Sequence, residues 1–190
     1  MKKISRLVLL LALALGHSVE SQAALLIEPV VGYSFGKGTL DMTVPAAPAT
    51  NTSATRSSNG SSYGGRLGYQ NFGFQLGLDY LASSMKVSGD SFKTSEFGGF
   101  VGYEFPILFR VYAGYVFSGT GTLATSTQDY NFKNGTGPKV GLGFTLLPLL
   151  DLNIEYRSIA YKEMDISNGL ATLKMDYNAV MVGLSLPFTL

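Results

Sequence analysis

The sequence has no cysteine and no tryptophan, and its one histidine, His17, lies near the N-terminus. Without cysteine, neither a disulfide framework nor a thiolate metal site is possible. Charged residues make up only 14% of the chain, against ~25% in ordinary soluble domains. The net charge is +1, and no basic stripe marks a nucleic-acid-binding face. Beyond the first residues there is also no long apolar run, so no later segment reads as a membrane helix, which takes about 20 such residues. A chain that is 46% hydrophobic but never in one block must spread its apolar residues at a short period.

The first residues read as an export signal. Lys2, Lys3 and Arg6 precede the apolar stretch 7–16, and Ser21-Gln22-Ala23 has the small-x-small form of a cleavage site. The expectation is a cleaved signal peptide over 1–23 and a single mature domain over 24–190. Removal takes three of the 14 basic residues and one of the 13 acidic ones, leaving 11 and 12. It also takes His17, so the mature chain has no histidine. A serine nucleophile needs a neighbouring base at neutral pH, and histidine is the usual one. No enzymatic activity is therefore expected, and no catalytic residue is assigned. No cofactor is expected either. Asp90, Asp129, Asp165 and Asp176 lie in or near connections without the convergent spacing of a metal site.

What is present is alternation with a period of two, the signature of a strand with two unlike faces. At the end of the chain Val180, Val182, Leu184, Leu186, Phe188 and Leu190 share one face, and Met181, Gly183, Ser185, Pro187 and Thr189 the other. Seven further segments behave alike: 26–36, 62–70, 73–84, 94–105, 108–119, 137–146 and 149–162. Their apolar faces carry no charge. The opposite faces hold Glu28, Arg66, Asp79, Glu96, Glu104, Arg110, Lys139, Asp151, Glu155 and Arg157.

The connections alternate too. Asn71-Phe72, Pro106-Ile107 and Leu147-Pro148 mark short turns, whereas 37–61, about 85–93, 120–136 and 163–174 read as long links. Short turns on one side, long loops on the other and an even strand count describe an outer-membrane barrel. The fold class expected is all-β, an eight-stranded antiparallel up-and-down transmembrane β-barrel. Lipid cannot satisfy an open sheet edge, so the sheet must close. Parity alone does not say which face is inside, and a soluble periplasmic ligand-binding barrel is the alternative. Three features favour the membrane. The polar face is rich in glycine, as a narrow lumen requires, and it lacks the many Lys and Glu side chains of a soluble exterior. The apolar-face aromatics Tyr33, Phe35, Tyr63, Tyr69, Phe105, Phe117 and Phe188 sit near segment ends, where girdles meet the two interfaces.

The opening strand LLIEPVVGYSFG, the glycine-rich alternating hairpins and the final strand AVMVGLSLPFTL resemble the OmpA/OmpX-like small outer-membrane barrels. The resemblance is one of pattern over nearly all of 24–190. It implies residence in the outer membrane of a Gram-negative bacterium, contact with outer-membrane lipid and lipopolysaccharide, and insertion by the barrel-assembly machinery. Relatives typically end in an aromatic residue; here Leu190 is last and Phe188 stands two before it on the same face.

The ten inward charges are expected to form a network, because a buried charge without a partner is costly. The turn at Pro106 suggests Glu104 opposite Arg110, the turn at Asn71 sets Arg66 diagonal to Asp79, and the turn at Pro148 brings Lys139 toward Glu155 with Arg157 nearby. Six acids and four bases cannot pair one to one, so water should remain among them. A structural plug is the first reading of this network, and a low-conductance, porin-like channel the alternative. The segment 37–61 is low in complexity and nearly uncharged, and reads as a mobile extracellular loop, a shield or a contact for an extracellular ligand. The working function is a structural or surface-interaction barrel.

Overall fold

The computed structural model describes residues 24–44, 50–126, 129–165 and 172–190. The expected signal segment 1–23 lies outside the described residues. The strands are β1 (Ala24–Val44), β2 (Thr50–Asn71), β3 (Phe74–Val87), β4 (Asp90–Phe105), β5 (Phe109–Ala124), β6 (Asp129–Leu147), β7 (Leu150–Tyr161), β8 (Glu163–Asp165), β9 (Thr172–Ser185) and β10 (Phe188–Thr189). Consecutive long strands pair antiparallel from β1 to β7, β9 pairs with β7, and β9 also pairs with β1. The sheet is thereby a closed ring of eight wall strands.

Two short elements fit this count. β10 continues β9 along β1 after an interruption at Leu186-Pro187, where proline has no N–H to give the ladder. The break is bridged by Leu186 N–H donating to Pro29 O at 3.1 Å, and Leu25 and Leu190 exchange both backbone hydrogen bonds. β8 is a three-residue piece paired with β6.

The ring is sheared. From Phe35, cross-strand partners run through Val180, Tyr156, Val140, Ala113, Val101, Leu76 and Tyr69 to Leu25. The path returns to β1 at 25 rather than 35, a stagger of ten residues, and such a stagger tilts every strand against the barrel axis.

The turns follow from local chemistry. Phe72 and Gly73 (φ 49° and 80°) form the two-residue hairpin joining β2 to β3, one residue later than expected. Ser88 and Gly89 (φ 52° and 99°) do the same between β3 and β4. Both central residues at positive φ match the right-handed twist of the flanking strands. The segment about 85–93, expected as a long link, is therefore a tight hairpin.

The largest correction concerns 37–61. Rather than a mobile loop, β1 and β2 run on as a paired ribbon to Val44↔Thr50, with residues 45–49 outside the described set. β9 pairs along the other side of β1 as far as Thr43↔Thr172. Low complexity argued for disorder because so little apolar area is available, but the ladder satisfies the backbone, and cross-strand pairs such as Thr39 and Thr55 (hydroxyls 3.1 Å apart) suit a sheet. Of the other long links, 120–136 shortens to the segment between Ala124 and Asp129, and 163–174 contains β8 and the start of β9.

In the lower part of the wall the apolar face points outward. Val31, Leu67, Leu76, Val101 and Leu184 are all exposed, Leu76 at 65%. Two aromatic bands bound this zone. At the short-turn end, neighbouring rings run Phe74, Tyr103, Phe105, Phe109, Phe144 with centroids 4.8–5.5 Å apart. At the other end Tyr33, Tyr80 and Tyr156 donate their hydroxyls upward to Asn59 (3.0 Å), Ser95 (3.3 Å) and Asn178 (2.9 Å). An apolar band between aromatic girdles is what a lipid-facing wall requires.

Candidate functional site

The lumen is filled by two layers of unlike chemistry. The lower layer is ionic and is built around Glu28, which is fully buried. Arg66 Nη1 donates to Glu28 Oε1 at 3.0 Å, and Arg110 grips both carboxylate oxygens at 2.6 and 2.8 Å. Arg66 Nη2 also donates to Glu155 Oε2 (3.0 Å) and to the Tyr112 hydroxyl (2.7 Å), and its guanidinium lies 4.2 Å over the Tyr112 ring. Arg110 reaches Asn153 Oδ1 at 2.8 Å and Asp151 at 3.6 Å. Arg157 pairs with Glu96 at 2.9 Å and stands 3.9 Å from Glu155. Lys139 pairs with Asp79. All ten charges singled out in the sequence point inward, nine of them into these ion pairs.

The individual pairings differ from expectation. Glu104 and Arg110 face each other in register, yet Glu104 accepts from Gln70 (2.9 Å) and Gln75 (3.3 Å) instead. Arg66 is directly opposite Asp79 rather than diagonal to it, but binds Glu28 and Glu155. Lys139 turns to Asp79, not to Glu155. The reason is geometric. Inward side chains of a small barrel converge on the axis, so a long arginine reaches across the lumen more readily than sideways to a hairpin neighbour. Tyr112, Asn153, Gln70, Gln75 and Ser34, which complete the network, were missed by the search for charges. Their signal was parity, since each lies on the charge-bearing face.

Room for these groups comes from glycine. An added Cβ at Gly141 would run into the Tyr112 ring, and one at Gly36 into Tyr177. A cavity of about 20 Å³ remains in the network, lined among others by Arg66, Asp79, Glu96, Lys139 and Glu155. That is space for one water among several polar partners.

The upper layer is apolar and was not anticipated. Met85, Val87, Phe92, Val116, Phe132, Ile159, Tyr161, Met175, Tyr177 and Ala179 form one buried cluster above the ions, on the side away from the turn at Phe72-Gly73. Phe92 meets Phe132 and Tyr177 edge-on at 6.3 and 5.7 Å, and the Tyr177 hydroxyl donates to Met85 Sδ at 2.8 Å. A cavity of about 30 Å³ between Leu40, Val87, Phe92, Leu123 and Met175 lies at its top, with Arg56 and Ser58 at the edge. At this height the outer wall is polar: Lys37, Ser57, Ser84, Lys86 and Lys93 are exposed. Wall polarity is thus reversed relative to the zone below.

Comparison with known proteins places this architecture. Residues 8–188 match the family described as outer membrane protein beta-barrel domain. No curated protein matches the sequence. Among solved structures, Neisserial surface protein A is 16% identical, with 82% of this chain and 97% of that one covered at a TM-score of 0.48. OprG of Pseudomonas aeruginosa is 12% identical over 90% and 99%, at 0.47. Ail of Yersinia pestis, solved with the heparin analogue sucrose octasulfate, is 10% identical over 84% and 99%, at 0.47. The apolar lower wall rules out the soluble periplasmic alternative, because it would leave the two-girdle band in water. This chain belongs to the outer membrane protein β-barrel domain family, whose members reside in the Gram-negative outer membrane.

Proposed function

We propose that the protein is a closed, non-catalytic barrel that carries a paired β-ribbon crown above the outer membrane, where it acts in surface interaction. Export by a signal over 1–23, cleaved after Ala23, belongs to the same reading. The apolar cluster stacked on the ion network carries it. A permeating ion would have to shed its water against Phe92, Phe132 and Tyr177 and then cross a lumen whose cavities hold about 30 and 20 Å³. Desolvating an unpaired charge in apolar surroundings is prohibitive. The crown supports the second half of the reading: the paired walls of β1 and β2 continue well above the tyrosine girdle with polar side chains outward.

Planar-bilayer recording tests closure. The wild-type protein gives current at background, and Phe92→Ser with Tyr177→Ser, which wets the upper layer, gives measurable steps if the ion network also opens. Steady wild-type conductance would restore the low-conductance channel. Binding of the refolded protein to host-cell or phage surfaces, lost when the crown 37–61 is replaced by a short turn, tests the presented ribbon.

A further inference from the structure

Three lysines stand at one level of the outer wall, just above the upper tyrosines. The ten-residue stagger of the ring amounts to slightly more than one residue per strand. Allowing for it, Lys37 on β1, Lys86 on β3 and Lys93 on β4 share a height to within about one residue. All three are exposed, and among the described residues none is held in an ion pair. Asn59 on β2 lies between them: it is the cross-strand partner of both Phe35 and Lys86. Its Oδ1 is already engaged by the Tyr33 hydroxyl at 3.0 Å, which turns its two amide N–H donors away from that bond. Asn178, opposite Lys37 on β9, is fixed in the same way by Tyr156 at 2.9 Å. Ser84 pairs with Lys93 and Ser91 with Lys86. Of the acids of this wall, Asp41 sits higher and faces Lys174 in register, while Asp176 lies on β9 two residues above Asn178, diagonal to Lys37 and within about one residue of the lysine level.

Below Lys37 the wall is concave. A groove of about 380 Å³ runs across β2, β1, β9 and β7, with Phe35, Val180 and Tyr156 on its floor and Lys37, Asn59 and Asn178 at its upper rim. Its floor faces the acyl zone and its rim the headgroup zone, as the tyrosine girdle marks them. Unpaired ammonium groups and amide donors over an apolar recess suit one kind of molecule, a lipid with an anionic phosphate head.

We propose that Lys37, Lys86 and Lys93, with Asn59 and Asn178, form a binding site for the phosphates of an outer-leaflet glycolipid of the lipid A type, with one acyl chain in the groove over Phe35 and Val180. Charge complementarity and the level of the site at the interface identify the occupant. The inference rests on the outer-membrane placement, not on closure of the lumen or on what the crown binds.

The test is lipid binding to the folded, detergent-solubilised full barrel, read by native mass spectrometry and by the temperature at which the heat-modifiable gel band is lost. Bisphosphorylated lipid A is expected to bind and raise that temperature, with affinity falling as salt rises. Lys37→Gln, Lys86→Gln and Lys93→Gln should each weaken binding about fivefold, the effect of one surface lysine facing anionic lipid, and the triple variant roughly a hundredfold. Lysine-to-arginine versions should retain it, and Lys162→Gln, outside the arc, should bind as wild type does. The gel band itself shows whether each variant folds. Equal binding by the triple variant, or by lipid A stripped of phosphate, overturns the proposal. Equal stabilisation by inorganic phosphate at matched phosphorus would make the site one for free anions and would overturn the lipid assignment.

Discussion

Below the upper tyrosines the barrel is apolar outside and ionic inside; above them it is polar outside and apolar inside. The same strands build both halves with the same alternation and no change of parity on β3, where Leu76, Leu78, Tyr80, Ser84 and Lys86 all face outward while Gln75, Asp79, Met85 and Val87 face inward. Only the solvent differs. In lipid the wall must be apolar, and charges can be afforded only where they pair across the lumen. In water the lumen becomes an ordinary hydrophobic core, with burial as its driving force. The molecule is a membrane barrel with a soluble barrel stacked on it, and the two kinds of stabilisation share one closed backbone, with Val116 of the upper cluster also lining the cavity in the ion network.

The sharpest test of that contrast removes one centre from each half. Glu28→Ala leaves Arg66 and Arg110 facing each other without their shared carboxylate, and should cost about 3–5 kcal/mol, the range for breaking a buried pair. Phe92→Ala should cost a similar ~3–5 kcal/mol by leaving a cavity in the upper core. The two should differ in salt response: urea unfolding in lipid vesicles should show the Glu28 loss reduced by high salt and the Phe92 loss unchanged. If both respond alike, the halves are not held by different forces.

The same arginine placed on either side of the girdle should separate the outer walls. Leu76→Arg faces lipid and should cost about 2–4 kcal/mol. Ser84→Arg faces water on the same strand and should stay within about 0.5 kcal/mol. Equal costs on refolding into vesicles would move the membrane boundary away from Tyr80.

Gly141→Ala pushes a methyl into the Tyr112 ring and should destabilise by about 1–3 kcal/mol as overpacking, with partial rescue by Tyr112→Phe if the lost Arg66 contact is the lesser effect. Thermal gel-shift midpoints of the two single variants and the double variant decide this. The smallest effect is expected between residues that face each other yet do not touch. A double-mutant cycle on Glu104 and Arg110 should give coupling below about 0.5 kcal/mol, whereas Glu28 and Arg110 should couple by up to about 3 kcal/mol. Strong coupling at Glu104 would contradict the cross-lumen arrangement.

The sequence made the wall legible and the lumen only partly so. Alternation such as Val180, Val182, Leu184 against Met181, Gly183, Ser185 assigns strands and faces without any knowledge of neighbours, because period two is a local property. Ion partners are not local. Arg66 and Glu155 are 89 residues apart and meet only because the ring closes, so hairpin reasoning at Pro106 chose the wrong partner for Arg110. The upper core was readable and overlooked: Met85 and Val87 alternate with Ser84 and Lys86, and Met175 and Tyr177 with Lys174 and Asp176. A single polarity rule for the whole strand hid a reversal the residues display. The ribbon 37–61 was hidden for another reason, since threonine and serine write the same composition whether or not a neighbouring strand is there to pair with.

Closure between β1 and β9 also bears on time. The first and last long strands are joined along fourteen residue pairs, Val30↔Ser185 to Thr43↔Thr172, so the longest loop in the chain must be closed before the final ladder can form, and folding of such non-local topologies is slow. The reverse passage meets the same obstacle. Every wall strand is flanked on both sides, so none can peel away at the cost of one ladder, and there is no frayed edge from which unfolding starts. The persistence of the folded barrel is therefore set by an unfolding rate rather than by an equilibrium constant, and a protein of modest thermodynamic stability can remain intact in the membrane for as long as that one seam stays shut.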